Sequence, residues 1–262
     1  MSTTAYAPPA PGGLSRDTRP GLGRLVRVEL RKMYDTRAGF WLLLAAVALA
    51  ALAAGLTALT GHDDSRNFAN ALNNSTQAIN FLVPVVGILL VTSEWSQRTA
   101  QVTFTLVPQR ARVLVSKIGA SVALALAAFV LTFLLSAAFT AIGGKSFGSV
   151  GAWHLDGGIV AQLALFDLIS MLIGVGLGAA ILLSAPAIVA SFVLPVGVSL
   201  VLELIPGLDH VASWIGQGEA LSPLSDHALS GTEWGRVVTA TLLWCALPMA
   251  IGVVRFVKGE VR

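Results

Sequence analysis

Long uncharged runs alternate with short polar segments along most of this chain. Crossing a bilayer takes about 20 residues of helix, and suitable stretches run from Phe40 to Thr60, around Ile79 to Ser93, and from Ile118 to Ile142. Three more run from about Val160 to Leu183, from Ala187 to Ile205 and from Val237 to Val254, with Ser184-Ala185-Pro186 as the turn dividing the first two of these. The pattern predicts an all-α polytopic membrane protein with six transmembrane helices. In the second stretch the strictly apolar part is only about 15 residues, so its helix must begin earlier, among asparagines. Asn73, Gln77 and Asn80 then form one stripe, followed by Pro84 at the next turn. Spacings of four and three place them on one helix side, and such a stripe should face protein or water rather than lipid.

Ahead of the first span the period changes. Leu22, Leu25, Val26, Leu30, Met33 and Tyr34 recur at helical spacing, while Arg24, Arg27 and Arg31 share the other face. This predicts an amphipathic interfacial helix over residues 22–38, its arginines meeting anionic lipid or an acidic protein surface. Residues 1–21, rich in Pro, Ala, Gly and Ser, read as a disordered tail. The first span starts too late and is too long for the apolar core of a cleaved signal. Residues 39–262 form the six-helix domain, with a charged loop at 94–117.

Composition agrees with the pattern: 55% of the 262 residues are hydrophobic, 12% are charged, and the mean hydropathy is +0.77. Charge adds the orientation. Alternation of six spans puts both termini on one side, and 14 of the 17 basic residues fall there, leaving Arg66, Lys145 and Arg236 opposite. Basic residues in short loops are retained on the cytoplasmic side, so the termini and the 94–117 loop are expected to be cytoplasmic. The formal charge of +3 and pI near 9.4 then reflect topology, with no reason to invoke nucleic acid.

Candidate chemistry is sparse. Cys245, the single cysteine, sits in the last span and reads as a packing residue. His62, His154, His210 and His227 all fall in outer loops, so no span supplies an imidazole for a haem, and the irregular spacing of Asp209, His210, Glu219, Asp226 and His227 favours a solvated loop over a metal site. Gly143-Gly144-Lys145-Ser146 imitates the end of a phosphate-binding loop, but Phe139 stands where that pattern needs glycine and a membrane span stands where it needs a strand. No cofactor is expected in the chain. Asp167 and Glu203 are the only acids within spans, where each would cost about 2.5 to 3.5 kcal/mol at the bilayer centre. With Asn73, Gln77 and Asn80 they are candidates for a substrate path; interhelical hydrogen bonding or contact with interfacial water is the other account. Gly174, Gly176 and Gly178 offer close helix approach within the chain or across a dimer, and Pro195 is expected to kink the fifth span.

The loop between the second and third spans is the most informative segment. It reads Glu94, Arg98-Thr99, Pro108, Arg110 and Arg112, closed by Lys117. In this order, and in the basic lead-in helix and six spans, residues 22–262 resemble the permease subunits of type-2 ATP-binding-cassette exporters. Trp95-Ser96-Gln97 departs from the more basic or glycine-rich residues usual there.

The resemblance implies a transmembrane permease that exports a substrate across the cytoplasmic membrane, without catalytic residues of its own. ATP and Mg would belong to a separate cytosolic ATPase subunit, and a second permease copy or paralogue would complete a dimer. The loop would form a coupling helix seated on that ATPase, with Glu94 and Arg98 able to pair four apart. Arg24, Arg27 and Arg31 would flank the same partner. The alternative is a non-transporting membrane scaffold or sensor partner that docks a cytosolic protein. An intramembrane enzyme would need Asp167 and Glu203 as its acids.

Overall fold

A computed structural model describes residues 21–60, 66–96, 110–146, 153 and 156–258. Among these the chain is helical without a strand, and six helices are long and apolar enough to cross a membrane. The lead-in helix α1 (Leu22–Asp35) is followed by α2 (Arg37–Thr60), α3 (Phe68–Ile79), α4 (Val83–Ser96), α5 (Arg110–Ser146), α6 (Gly157–Ile181) and α7 (Ser184–Leu204). Three short helices, α8 (Asp209–Ile215), α9 (Gln217–Leu221) and α10 (Pro223–Asp226), lead to α11 (Gly231–Thr241), a π-helical turn at Leu242–Ala246, and α12 (Leu247–Lys258). This is a multi-pass helical membrane protein.

The second span is discontinuous. As the asparagine stripe requires, it begins early, at Phe68, where the Asn67 side chain accepts from Asn70 N at 2.7 Å as a helix cap. α3 then stops at Ile79, and Asn80 to Leu82 form turns before α4 resumes at Val83. With no N–H, Pro84 suits the first turn of a new helix.

α6 is the centre of the bundle, packed between α4 and the last span, and the glycines explain why it can be. An added Cβ at Gly174 would collide with the Pro84 carbonyl on α4, and one at Gly178 would lie 3.1 Å from Ile88 Cα. On the other side, a Cβ at Gly176 would meet Cys245 O at 3.1 Å. The small-residue face therefore serves packing within the chain. Around it Val91, Val175 and Ala179 are completely buried. α7 is the opposite case, leaving Val189, Val193, Val196, Leu200 and Leu204 exposed, a surface suited to lipid.

Two expected boundaries move. The lead-in helix ends at Asp35 rather than 38, because Thr36 takes an extended conformation and its Oγ1 accepts from Gly39 N at 3.2 Å, starting α2 at once. A Cβ at Gly39 would collide with the Met33 carbonyl, so this tight reversal needs glycine. The turn expected at Ser184-Ala185-Pro186 lies two residues earlier. Leu182 takes a left-handed φ of 63°, its N–H reaches Gly178 O at 2.8 Å, and Ser184 already begins α7. Pro186 then falls in the first helical turn, where a missing donor is harmless.

Candidate functional site

Two polar clusters interrupt the apolar bundle, one at the α1 side and one in the opposite half. The first starts from α1. Val26, Glu29, Leu30 and Met33 share the face turned toward α5, and Val26 Cγ2 lies 3.1 Å from where a Cβ of Gly119 would stand. Glu29 is one turn along from Val26, so docking of this face carries its carboxylate into the protein. There it meets Lys117. The Lys117 side chain is fully buried and donates to Glu29 Oε2 at 2.7 Å and to Leu90 O at 3.0 Å, and it stands 3.4 Å from Glu94 Oε2.

Lys32 completes the group, donating to Glu29 Oε1 and to Glu94 Oε1, both at 2.6 Å. Two carboxylates and two ammonium groups thus alternate around a closed ring. Burial opposes the charge on Lys32, yet Glu29 and Glu94 outweigh it and hold its pKa above 10.5. The ring joins α1, the end of α4 and the start of α5 by charge-assisted bonds, which are shorter and stronger than neutral ones. A cavity of about 190 Å³ beside it is lined by Glu29, Lys32, Met33, Ser93 and Ser184.

The sequence pointed to Glu94 and Lys117, and the structure brings both into the ring. Glu29 and Lys32 were missed, although an acid at position 29 within an apolar stripe was the available signal. Arg24, Arg27 and Arg31 are exposed on the far face of α1, with Arg31 Nε 3.0 Å from Asp35 Oδ2. Arg112 is half-buried near the start of α5 and Arg110 opens that helix. Arg98, Thr99 and Pro108 lie outside the described residues, so the expected Glu94–Arg98 pairing and coupling helix do too.

The second cluster grows from the asparagine stripe. Asn73 Nδ2 donates to Ser225 O at 3.0 Å and Gln77 Nε2 to Ser225 Oγ at 2.9 Å, so α3 holds α10. From α6, buried Gln162 donates to Leu224 O and His227 O at 3.3 and 2.7 Å and accepts from Leu229 N at 3.2 Å. Gln162 was not singled out in the sequence, because one amide in a span carries no distinguishing pattern. Leu221 and Leu224 fill the core beneath, with Ile169, Ile173 and Val237. Trp244 Nε1, in the π-helical turn, donates to Ile215 O at 2.7 Å. Trp244 lies 13 residues beyond the start of α11, about 20 Å along the helix. The segment from α8 to α10 therefore dips into the bundle.

Between this dipping segment, the broken second span, α6 and α7 lies a cavity of about 340 Å³. Gln77, Asn80, Ser170, Ser191, Gln217 and Ser222 supply its polar groups, while Phe81, Phe166, Phe192 and Pro195 supply apolar walls. A few polar groups in an apolar concavity is the usual composition of a small-molecule site. Of the candidate path residues, Gln77 and Asn80 line it. Asn73 supports α10 instead, and Glu203 is exposed near the end of α7. Asp167 is fully buried behind the cavity wall, its Oδ1 accepting from Asn80 Nδ2 at 3.3 Å.

Elsewhere, Glu233 caps α11 through Ser230 and meets His227 Nε2 at 2.9 Å. Gly143 belongs to the last turn of α5 and a Cβ there would lie 3.2 Å from Ala58 Cβ, so that glycine serves helix contact. Among the described residues no three His, Cys, Asp or Glu side chains gather as metal ligands would. Comparison with known proteins finds no matching family model and no matching curated protein.

Proposed function

We propose that the chain is the permease subunit of a type-2 ATP-binding-cassette exporter, moving a substrate across the cytoplasmic membrane with ATP hydrolysed by a separate ATPase subunit. The observation that carries this reading is the charge ring. Glu94 and Lys117 stand at the two ends of the expected docking loop and are joined, through Glu29 and Lys32, to α1. Force applied to that loop by a cytosolic partner therefore reaches α1, α4 and α5 together. α4 in turn packs along α6, and both border the larger cavity. A push from the cytoplasm would move the cavity walls, as alternating access requires. The exposed arginines of α1 offer a basic surface to an acidic flank of the same partner. In this reading a second copy, or a paralogue, would meet the chain to complete the path.

The test is co-purification of the tagged chain from gently solubilised membranes. Arg98→Glu with Arg110→Glu is the informative variant, since Glu94 belongs to the buried ring and its loss would confuse docking with folding. A nucleotide-hydrolysing subunit retained by wild type and lost by the double variant supports the reading. Absence of any such subunit from both preparations abandons it, and leaves a membrane scaffold as the better account.

A further inference from the structure

The Asp167 carboxylate is fully buried about 15 Å along α6, near the middle of that span. Asn80 alone among the described residues gives it a hydrogen bond, at 3.3 Å to Oδ1. Oδ2 is buried with no hydrogen-bond partner, and no described cation pairs with Asp167. A solitary acid at this depth is expensive and is retained where a ligand or ion compensates it. Through Asn80 it touches the interruption of the second span, where α3 ends at Ile79 and α4 resumes at Val83. Half-helix C-terminal ends and unwound carbonyls near the bilayer midplane are favourable to positive charge.

Asn80 links this position to the larger cavity, because it both touches Asp167 and lines the cavity wall. That wall also presents the rings of Phe81, Phe166 and Phe192 and the hydroxyl of Ser170. Aromatic faces attract organic cations, while the apolar surroundings suit the body of an amphipathic molecule better than a hydrated metal ion. We propose that this cavity is a binding site for an amphipathic amine, with the ammonium group hydrogen-bonded to Asp167 as Asn80 swings aside and the apolar body lying against the three phenylalanines. The shared chemistry is a compact monovalent cation, which an alkali ion would also supply.

This substrate class rests on reading the cavity as a transport path, yet binding to the isolated permease needs no ATPase, so the two can fail separately. The probe is dansylcadaverine, a fluorophore with a free alkyl ammonium, compared with its neutral N-acetyl derivative on the purified full chain in nanodiscs. Wild type should bind the amine at least about ten-fold more tightly, equivalent to about 1.4 kcal/mol. Asp167→Asn should erase that preference while still binding the neutral derivative, and Asp167→Glu should restore part of it. Should Asp167→Asn elute as aggregate, Asn80→Ala provides the second variant: it frees Asp167 from its hydrogen bond and should raise the preference for the amine over the neutral derivative, and a lowered or unchanged preference overturns the proposal. Exchanging N-methylglucamine chloride for sodium or potassium chloride at fixed ionic strength separates the sources. Competition in wild type that vanishes in Asp167→Asn keeps the cation site and makes an alkali ion its occupant. Equal binding of amine and neutral derivative by wild type, with no alkali competition, overturns the proposal. So does a preference that survives in Asp167→Asn.

Discussion

Lys117 Nζ lies 2.7 Å from Glu29 Oε2 in a pair with no exposed atoms on the lysine, across 88 positions of sequence. A lysine buried to this degree needs full compensation, which Glu29, Glu94 and the Leu90 carbonyl provide. The pair fixes the angle at which α1 lies on α5 and so fixes what the basic face of α1 can meet.

Removing one member leaves its partners charged and uncompensated. Lys117→Met should therefore destabilise the chain by about 3 to 5 kcal/mol, while Glu29→Gln combined with Lys117→Met should recover part of that loss. Thermal unfolding in detergent, followed by fluorescence-detected size exclusion, reads both. Additive losses in the double variant would mean that the two side chains do not stabilise each other.

Lys32 gives the ring a pH limit. Its folded pKa is raised above 10.5 by Glu29 and Glu94 against the opposing effect of burial, so its contribution is present in full below 10.5 and is lost as pH rises through the raised value. The side chain is 37% exposed, which keeps the contribution small. Melting temperatures of wild type and Lys32→Met should differ by a constant amount from about pH 6 to 9.5 and converge only above 10.5. Convergence at neutral pH would contradict the assignment.

The glycines of α6 should be intolerant in proportion to what they touch. Gly174→Ala drives a methyl group into the Pro84 carbonyl, and backbone cannot yield as a flexible side chain can. Gly197 on α7 has nothing within 4 Å of an added Cβ. Gly197→Ala should be neutral or stabilise by about 0.5 to 1 kcal/mol. Monodispersity after extraction distinguishes the two; similar behaviour would mean that α4 and α6 do not pack this closely.

Span count was legible because apolar length is a direct consequence of bilayer thickness, and the asparagine stripe revealed the early start of α3 for the same reason. The partners of those residues were not legible. Whether Asn73 and Gln77 face a substrate or a helix depends on α10, which arrives from about 150 positions away, as Ser225 does at separations of 152 and 148. Glu94 and Lys117 could be selected from the loop, but Glu29 joins them only because α1 folds back at Gly39. Asp167 and Glu203 look alike as isolated acids in apolar runs, and only packing separates the buried one from the exposed one.

Gln162 ties down the end of the dipping segment and the chain just after it, holding two carbonyls and one N–H between Leu224 and Leu229. Gln162→Leu keeps the volume and removes all three bonds, leaving the buried Leu224 carbonyl unpaired at about 1 to 3 kcal/mol, with smaller losses at the more exposed His227 and Leu229 groups. The segment should then open more often. The single cysteine, Cys245, is buried, so a Cys245→Ala background carrying Asp226→Cys reports on α10 alone. Asp226 is already exposed, so the sensitive reporter is its buried neighbour, Ser225→Cys, tested alongside. Maleimide labelling at position 225 should accelerate several-fold on Gln162→Leu while labelling at 226 stays unchanged. Because Ser225→Cys itself removes the Gln77 bond to the Ser225 hydroxyl, equal rates at 225 with and without Gln162 would show that Asn73 and the Leu221–Leu224 core hold the segment by themselves.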